Sequence, residues 1–367
     1  MRPILWTRPA VAQALMPALP TLLSVQANRA RHQASDICST PAGRPRKWSC
    51  WRALASLFTC LGLAQGQPSL GERFREQLNL QPQPAWVGYT VPAVADHGEN
   101  CDYGQGARRA VSAPGPVHLE PPDQVQILFR IEQRHVGKIR VISGDCQLDA
   151  DGLPLRWLRG DVRPAESVAL LASLVMEPDR VRDGAVTAIA LHADAAADEA
   201  LERFAAAGQT ESLREKAIFW LGAARGKRGY ELLRRIVTQD ASDHIRDKAI
   251  FALSVSKEPQ AVDTMIAVAH NDASSHVRGQ ALFWLAQKAG HKAAAEISDA
   301  IERDPDTEVK KKAVFALQQL PDGEGVPMLI QVARSNKNPA VRKQAMFWLG
   351  QSSDPRALAF FEEVLKP

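Results

Sequence analysis

Two histidines occupy equivalent positions of a repeated segment and could share a metal ion. His244 and His276 belong to consecutive copies of this segment, each just inside the start of a predicted helix, and neutral imidazole is a common ligand of zinc, copper and iron. The same position in the flanking copies is Ser212 and Glu308. We therefore interpret this column as exposed polar helix starts, and we expect no metal and no cofactor.

Other catalytic patterns are absent from the sequence. It contains no G-x-S-x-G, no phosphate-binding glycine loop and no H-E-x-x-H, the motifs that would place a nucleophile, a nucleotide or a zinc ion. The acidic pair Glu362–Glu363 lies on a predicted terminal helix, where solvated charge is the simpler explanation. We expect no catalytic residue and no enzymatic activity.

The chain is basic only at its start. Residues 1–66 hold eight Arg or Lys and one Asp, a net charge of +7, although the whole chain has a net charge of +4. Over 179–366 the basic and acidic side chains are equal in number. A net charge of zero there argues against a nucleic-acid partner.

The basic start continues into an apolar run. "RPRKWSCWR" at 44–52 precedes "ALASLFTCLGLA" at 53–64, and small residues follow up to Gly66. This order is typical of a secretory signal peptide, and the run is shorter than the roughly 20 residues of a membrane span. We predict cleavage near Gly66, a translation start downstream of Met1, a periplasmic or secreted protein, and membrane contact only through this leader. The alternative is a buried apolar helix or a tail anchor-like segment.

The cysteines are consistent with export. Cys38, Cys50 and Cys60 belong to the leader, which leaves Cys101 and Cys146 as an even pair. Secreted proteins keep such pairs oxidised, so we predict a disulfide. Two unrelated free thiols are the alternative.

The strongest pattern is a segment that recurs at equal intervals. "REKAIFWLG" at Arg214 returns as "RDKAIFALS" at Arg246 and "RGQALFWLA" at Arg278. Apolar positions recur at i, i+4 and i+8, which places them on one helix face: Val181, Leu213, Ile245, Val277, Val309 and Val341, then Ala185, Ala217, Ala249, Ala281, Ala313 and Ala345, then Ile189, Leu221, Leu253, Leu285, Leu317 and Leu349. Thr210, Ser242, Ser274, Asp306 and Asn338 stand where helix N-caps belong.

A second helix completes each unit. Its expected core column is Leu201, Leu233, Met265, Ile297, Leu329 and Phe361. Two-helix units that bury one another's faces form an α-solenoid. We therefore predict a mainly α fold, a right-handed solenoid of about six repeats over 179–366.

The pattern V-R-x-x-A-x-x-x-L-G resembles short HEAT-like repeats of the phycobilisome-lyase type, over about residues 179–365. This resemblance implies the solenoid fold and says little about activity. It also raises the alternative of a metal- or cofactor-dependent enzyme of the HEAT-like lyase or hydroxylase group. The hydroxylases of this architecture bind iron through His-Glu dipeptides, whereas none of the nine histidines here is followed by Glu.

The segment before the repeats differs in character. A short helix and linker are expected at 67–85, a small β domain at 86–160, with a hairpin turn at "RHVG", and a capping helix at 164–178. Alternating strands such as "QVQILFRIEQ" support the β assignment. A disulfide would tie the long loop around Cys101 to this sheet.

Two further columns concern the repeats. Acidic or amide residues precede basic ones by six positions, which predicts a charge ladder along the turns between repeats, made by Asp240, Arg246, Asp272, Arg278, Asp304, Lys310, Asn336 and Arg342; solvated surface charge is the alternative. Phe219, Phe251, Phe283, Phe315 and Phe347 should line up on an outer ridge, while Trp220, Trp284 and Trp348 should pack between helices, alternating with Ala252 and Ala316.

The phenylalanine stripe has two interpretations. Either each ring covers its neighbour and is half buried, or the stripe is an exposed apolar patch that binds a partner. In both cases we expect a non-enzymatic scaffold of the cell envelope that binds a protein or peptide. The sequence does not indicate an oligomeric state.

Overall fold

The computed structural model describes residues 68–81, 83–95, 101 and 123–366. The predicted leader and Cys38, Cys50 and Cys60 lie outside these residues. The elements in chain order are α1 Leu70–Leu80, β1 Ala85–Pro92, β2 Gln124–Glu132, β3 His135–Ser143, β4 Leu155–Trp157, α2 Pro164–Ser173, α3 Asp179–Leu191, α4 Ala195–Ala205, α5 Glu211–Ala224, α6 Gly226–Gln239, α7 Asp243–Val255, α8 Gln260–Asn271, α9 Ser275–Ala289, α10 Ala294–Arg303, α11 Thr307–Gln318, α12 Gly325–Ser335, α13 Pro339–Gly350 and α14 Pro355–Leu365. None of these helices is long and apolar enough to cross a membrane.

The four strands form one sheet in the order β3-β2-β1-β4. β1 pairs antiparallel with β2 and parallel with β4, and β2 pairs antiparallel with β3. The β2–β3 turn uses Gln133 and Arg134, whose φ angles are 49° and 64°. The turn therefore begins one residue before the predicted "RHVG", and His135 already belongs to β3.

One face of the sheet is covered by the first two helices. Val87, Ile127 and Phe129 are fully buried, and the ring of Phe74 on α1 lies 4.6 Å from that of Phe129. Residues one position apart in a strand point to opposite faces, so the intervening side chains of β3, Lys138 and Arg140, lie on the other face. The apolar face of the sheet thus packs on the helices, and β3 carries two cations on the other face.

The sheet and the repeats share a single core. Residues Gly66–Pro367 form one compact unit, and one cluster of buried apolar residues extends from Leu70 on α1 to Phe360 on α14. The expectation of a separate β domain at 86–160 does not describe this arrangement. A four-stranded sheet of this size buries too little apolar surface by itself, and it gains the rest by packing on α2 and α3.

The repeats confirm the predicted helical array. Six helix pairs follow one another, from α3–α4 to α13–α14, and all eighteen residues of the three predicted apolar columns are 3% exposed or less. All five predicted N-caps stand at helix starts. The side chains of Ser242, Asp306 and Asn338 accept a backbone hydrogen bond there. The handedness of the solenoid stays a prediction.

A second column of small residues brings the two helices of each unit together. Its members at the starts of the second helices are all buried: Ala197, Gly229, Ala261, Ala293, Gly325 and Ala357. A Cβ atom at Gly325 would lie 1.8 Å from the carbonyl oxygen of Leu317. Only glycine permits that approach, so the size of this residue sets the distance between α11 and α12.

The last unit differs from the prediction at one core position. Phe360 is 2% exposed, whereas Phe361, the residue expected in the core, is half-buried. α13 and α14 are joined by a short turn, while the two preceding units insert a 3₁₀ turn between their helices. Ala357 of α14 stays buried in the same column as its counterparts, so the repeat register itself is kept.

Candidate binding surface of the repeat array

Three clefts lie side by side along the second helices of the array. The first, about 260 Å³, is lined by residues of α4, α5 and α6. The second, about 460 Å³, lies between α6 and α8. The third, about 430 Å³, lies where those helices meet the turn that starts α7. Together they form a continuous surface over three consecutive units.

The walls of these clefts mix charges with an aromatic ring. Glu202 accepts from Arg228 at 3.0 Å and from Arg235 at 2.6 Å. The hydroxyl of Tyr230 lies 3.0 Å from that of Thr264. Arg234 and Asp263 are exposed beside them. Such a surface offers donors, acceptors and an apolar ring, which suits an extended peptide better than one small substrate.

A charge ladder stabilises the turns beneath these clefts, and each of its ion pairs joins two successive turns. Arg246 binds the carboxylate of Asp272 in the following unit through Nε at 2.8 Å and Nη2 at 2.9 Å. Arg278 binds Asp304 in the same way, at 2.8 and 3.1 Å. Arg214, which the sequence analysis omitted, binds Asp240. Each arginine thus pairs with the carboxylate of the following turn rather than with the acid six positions before it.

Residues six positions apart also meet, through the backbone. Arg246 donates from Nη1 to the carbonyl oxygen of Asp240 at 2.9 Å, and Arg278 donates to that of Asp272 at 2.8 Å. The Asp272 carboxylate is turned away, because it accepts from the backbone N–H of Ser274 at 2.8 Å and from Arg246 of the preceding unit. Each turn is therefore held by the arginine before it and the arginine after it.

The electrostatics of Asp272 follow from these contacts. Burial raises the pKa of its carboxyl, but the hydrogen bonds from Arg246 and Ser274 outweigh this effect, and the pKa is lowered. The hydrogen bonds that Arg246 donates to Asp272 also raise the pKa of Arg246. The pair is buried, with side chains 12% and 7% exposed, where an unpaired charge is costly.

The ladder ends at Asp304. Lys310 reaches the carbonyl oxygen of Glu302 at 2.7 Å instead of a carboxylate, and Arg342 donates to the carbonyl oxygen of Asn336 at 2.7 Å. Among the described contacts neither residue forms an ion pair, so the ladder stops short of these two predicted members. The ammonium group of Lys310 is a point charge and cannot form the bidentate pair that a guanidinium forms with a carboxylate.

The aromatic columns form one unbroken chain of eight rings over five units. Neighbouring ring centroids lie 4.8 to 6.1 Å apart, in the order Trp220, Phe219, Phe251, Trp284, Phe283, Phe315, Trp348 and Phe347. These distances are typical of favourable aromatic pairs. Ala252 and Ala316, which take the tryptophan slot in alternate units, are fully buried.

The burial of the rings differs along this aromatic chain. Phe219, Phe251, Phe283 and Phe315 are half-buried by the rings of adjacent units, as in the interpretation in which each ring covers its neighbour. Phe347 is 53% exposed. An exposed apolar ring is therefore found at the end of the aromatic chain and not along its whole length, and binding of a partner there stays a prediction.

The histidine column does not form a ligand set. His244 Nε2 lies 2.7 Å from Glu215 Oε1, whereas His276 Nδ1 faces the ammonium of Lys312 at 3.4 Å. Within the described ranges the one group of three metal-type donors that converges is Cys101, Asp145 and Cys146. There the two sulfur atoms lie 2.02 Å apart, with Cα atoms separated by 5.5 Å.

A buried polar network near the sheet went unnoticed in the sequence. The hydroxyl of Ser167 on α2 lies 2.8 Å from His192 Nε2 and 2.7 Å from the Tyr89 hydroxyl. His192 Nδ1 lies 2.6 Å from the carbonyl oxygen of Ala188. If Nδ1 carries the proton, Ser167 donates to Nε2, as a nucleophile donates to its base. All three side chains are 2% exposed or less, so no substrate reaches them and they join β1, α2 and α3.

Burial also sets the charge of this network. It lowers the pKa of His192 to about 4, with nearby Arg225 contributing in the same direction, while the Ala188 carbonyl and Asp194 oppose it. Burial raises the pKa of Tyr89. Both groups are therefore neutral at pH 7. Arg225 donates to the carbonyl oxygen of His192 at 2.6 Å and to Asp198 at 2.7 Å, which ties the second unit to this site.

Comparison with known proteins identifies the repeat region. Residues 205–286 and 294–367 match the family described as HEAT repeats. Among solved structures, human deoxyhypusine hydroxylase in complex with glycerol is similar with a TM-score of 0.30 and 16% identity, over 55% of this chain and 90% of that one. The complex of CpcE and CpcF of phycocyanin lyase from Nostoc sp. PCC7120 gives a TM-score of 0.29 and 18% identity, over 56% and 80%.

Neither structural likeness is close enough to support an argument about activity, and no curated protein matches the sequence. The match to the family, the regular period of the sequence and the six stacked helix pairs agree with one another. The repeat region of this protein is a HEAT-like repeat array.

Proposed function

We propose that this protein is a non-enzymatic scaffold that binds a protein or peptide along the second-helix face of its repeats. The observation that supports this proposal most directly is the row of three adjacent clefts on α4, α6 and α8. The buried arginine–aspartate pairs beneath them fix the spacing of the units. A partner would therefore meet a surface whose shape is set before binding, which reduces the entropy cost of association.

We further propose that the protein acts in the cell envelope after export. The predicted signal peptide and the paired Cys101 and Cys146 support this, because a disulfide persists in an oxidising compartment. N-terminal sequencing of the mature protein tests the proposal. A mature chain that begins near residue 67 is expected, whereas one that begins at Met1 contradicts export by this signal.

Charge reversal on the cleft surface tests the scaffold proposal. The variant Arg234→Glu with Asp263→Lys alters two exposed residues between α6 and α8 and leaves the core intact. Affinity capture from envelope extracts should lose the wild-type partner with this variant. A matched control reverses Lys343 and Glu362, which are exposed on α13 and α14, and should retain the partner.

The competing proposal, a metal- or cofactor-dependent enzyme of the HEAT-like lyase or hydroxylase group, predicts a different result. Purified protein would then carry a stoichiometric metal or a coloured group. Metal analysis and an absorbance spectrum of the same preparation separate the two proposals, since a scaffold carries neither.

A further inference from the structure

A cleft away from the second-helix face is lined by three cationic side chains. It lies between β3 and α3, has a volume of about 330 Å³, and is lined by Lys138, Arg140 and Arg180, together with Ile139, Asp183, Gly184 and Thr187. We call it the cationic cleft. It is separate from the three clefts of the proposed scaffold surface and shares no lining residue with them.

The strand places two of its cations on one side. Ile139 and Val141 are buried in the core, so the alternating residues Lys138 and Arg140 project from the opposite face of β3. Arg130 on β2 is the register partner of Lys138. Three cationic side chains thus share one corner of the sheet.

The helix supplies the opposite wall. Arg180, Asp183, Gly184 and Thr187 recur at three- and four-residue intervals and share one face of α3. A Cβ atom at Gly184 would lie 2.7 Å from Ile139 Cβ and 2.8 Å from its carbonyl oxygen. The absent side chain lets α3 approach β3 closely enough to bring Arg180 beside Lys138.

Two described carboxylates adjoin the cleft, and each of them already has a cationic partner. Asp183 lines the cleft, but its carboxylate is bound by Lys216 at 2.8 Å. Glu132 lies 3.1 Å from Arg130. Burial lowers the pKa of Lys138, and the guanidinium groups of Arg140, Arg180 and Arg130 lower it further. The described surroundings of Lys138 are therefore dominated by like charge, which a bound anion would relieve.

We propose that the cationic cleft binds a phosphate group through Lys138 and Arg180. Guanidinium forks match the oxygens of phosphate in pairs, and lysine adds a point charge. The small volume suits a single phosphate group rather than a long polyanion. The group is either a soluble phosphate or the headgroup of an anionic phospholipid, and both present the same oxyanion chemistry.

Calorimetric titration of the full-length protein with inorganic phosphate and with pyrophosphate tests the soluble form. The double variant Lys138→Gln with Arg180→Gln should weaken binding at least about tenfold, whereas Lys138→Arg keeps the charge and should retain it. The control Lys337→Gln with Lys343→Gln removes the same charge from exposed sites on and before α13. Circular dichroism of each variant reports whether the fold is kept.

Vesicle flotation tests the lipid form. Vesicles of phosphatidylcholine, with and without phosphatidylglycerol, are mixed with the same three variants and the wild type. The proposal is supported if the wild type and the control bind one of the probes and the double variant does not. The probe that is bound then identifies the source of the phosphate. Wild-type protein that binds neither probe overturns it, as does binding that the double variant retains or that the control loses equally.

Discussion

His192 shows how one buried side chain links the sheet to the first repeat. Its ring receives polar contacts on both nitrogens, from Ser167 and the Ala188 carbonyl, and it is fully buried. Burial of a neutral imidazole at this position makes the fold sensitive to acid. The consequence can be worked out from its pKa.

In the folded protein His192 stays neutral down to about pH 4, whereas in the unfolded chain it takes up a proton near pH 6.5. Between these values the unfolded state binds more protons, so the free energy of unfolding falls as the pH falls through this window. Lowering the pH from 7 to 5 should therefore reduce the free energy of unfolding by about 2 kcal/mol through this residue alone. Urea denaturation at the two pH values measures it.

Variants isolate the contribution of this histidine. His192→Gln should be less stable at pH 7 but should lose less stability on going to pH 5 than the wild type does. His135→Gln, at an exposed strand position, should keep the wild-type dependence on pH. An unchanged pH dependence in His192→Gln would show that other groups cause the acid sensitivity.

Arg246 gives a second prediction at this scale. Arg246→Ala leaves the carboxylate of Asp272 buried without its charged partner, which should lower the free energy of unfolding by about 3 to 5 kcal/mol. Arg303→Ala removes an exposed pair with Asp299 and should cost at most about 1 kcal/mol. The difference in urea midpoints between the two variants measures the effect. Equal midpoints would mean that the ladder contributes no more than surface charge.

At the scale of the element, the helices were predictable because their spacing repeats. The columns that include Ala217 and Leu221 recur in every unit. The buried face of each first helix can therefore be predicted without knowing which helix packs against it. The ion-pair partners in the ladder were harder to predict. Asp240 lies six residues before Arg246 and Asp272 lies 26 residues after it, and both intervals recur in every unit of the ladder. The repeat period shows which columns of residues interact, but it does not show whether a residue pairs within its own repeat or with the next repeat.

The missed features have particular causes. Ser167 lies on α2, before the first repeat, and His192 follows α3 at a position that is Ala224 and Ser256 in the next two units. No spacing therefore connects either residue with Tyr89. The small column that includes Gly229 and Gly325 follows the same period as the first helices, and alignment of the second helices would have found it. The cationic cleft depends on how closely α3 approaches β3, which follows from Gly184 only once the two elements are known to pack.

The aromatic chain predicts unequal roles for equivalent phenylalanines. The ring of Phe283 packs between those of Trp284 and Phe315, with centroids 4.9 and 5.7 Å away. Phe283→Ser should therefore lower the free energy of unfolding by about 2 kcal/mol, less than for a fully buried ring. Phe347→Ser removes an exposed ring at the end of the chain and should cost less than about 1 kcal/mol.

Thermal unfolding of both variants tests this difference, and partner capture adds a second readout. Loss of a partner in Phe347→Ser without loss of stability would assign binding to the end of the aromatic chain. Similar destabilisation by both substitutions would contradict the burial that distinguishes them.

At the scale of the whole molecule, the sheet serves as the start of the solenoid. Each repeat buries one apolar face of the repeat that follows it. The first repeat has no preceding repeat, so another element must bury its outer apolar face. α2 and β3 supply it, as the close packing of Gly184 on Ile139 shows. A solenoid with this cover should unfold together with its sheet, at least through the first unit.

Hydrogen exchange across a urea series measures this coupling in the intact protein. Amides of β2 and of α3 should gain deuterium with the same midpoint, because the buried network of Tyr89, Ser167 and His192 and the shared apolar core open only when both elements open. Gly184→Ala pushes the helix from the strand, as an added Cβ lies 2.7 Å from Ile139 Cβ, and should lower both midpoints. Gly71→Ala, with no atom within 4 Å of the new Cβ, should lower neither. Exchange of β2 at clearly lower urea than α3 would instead show a sheet that opens independently, and the solenoid would then need no such cover.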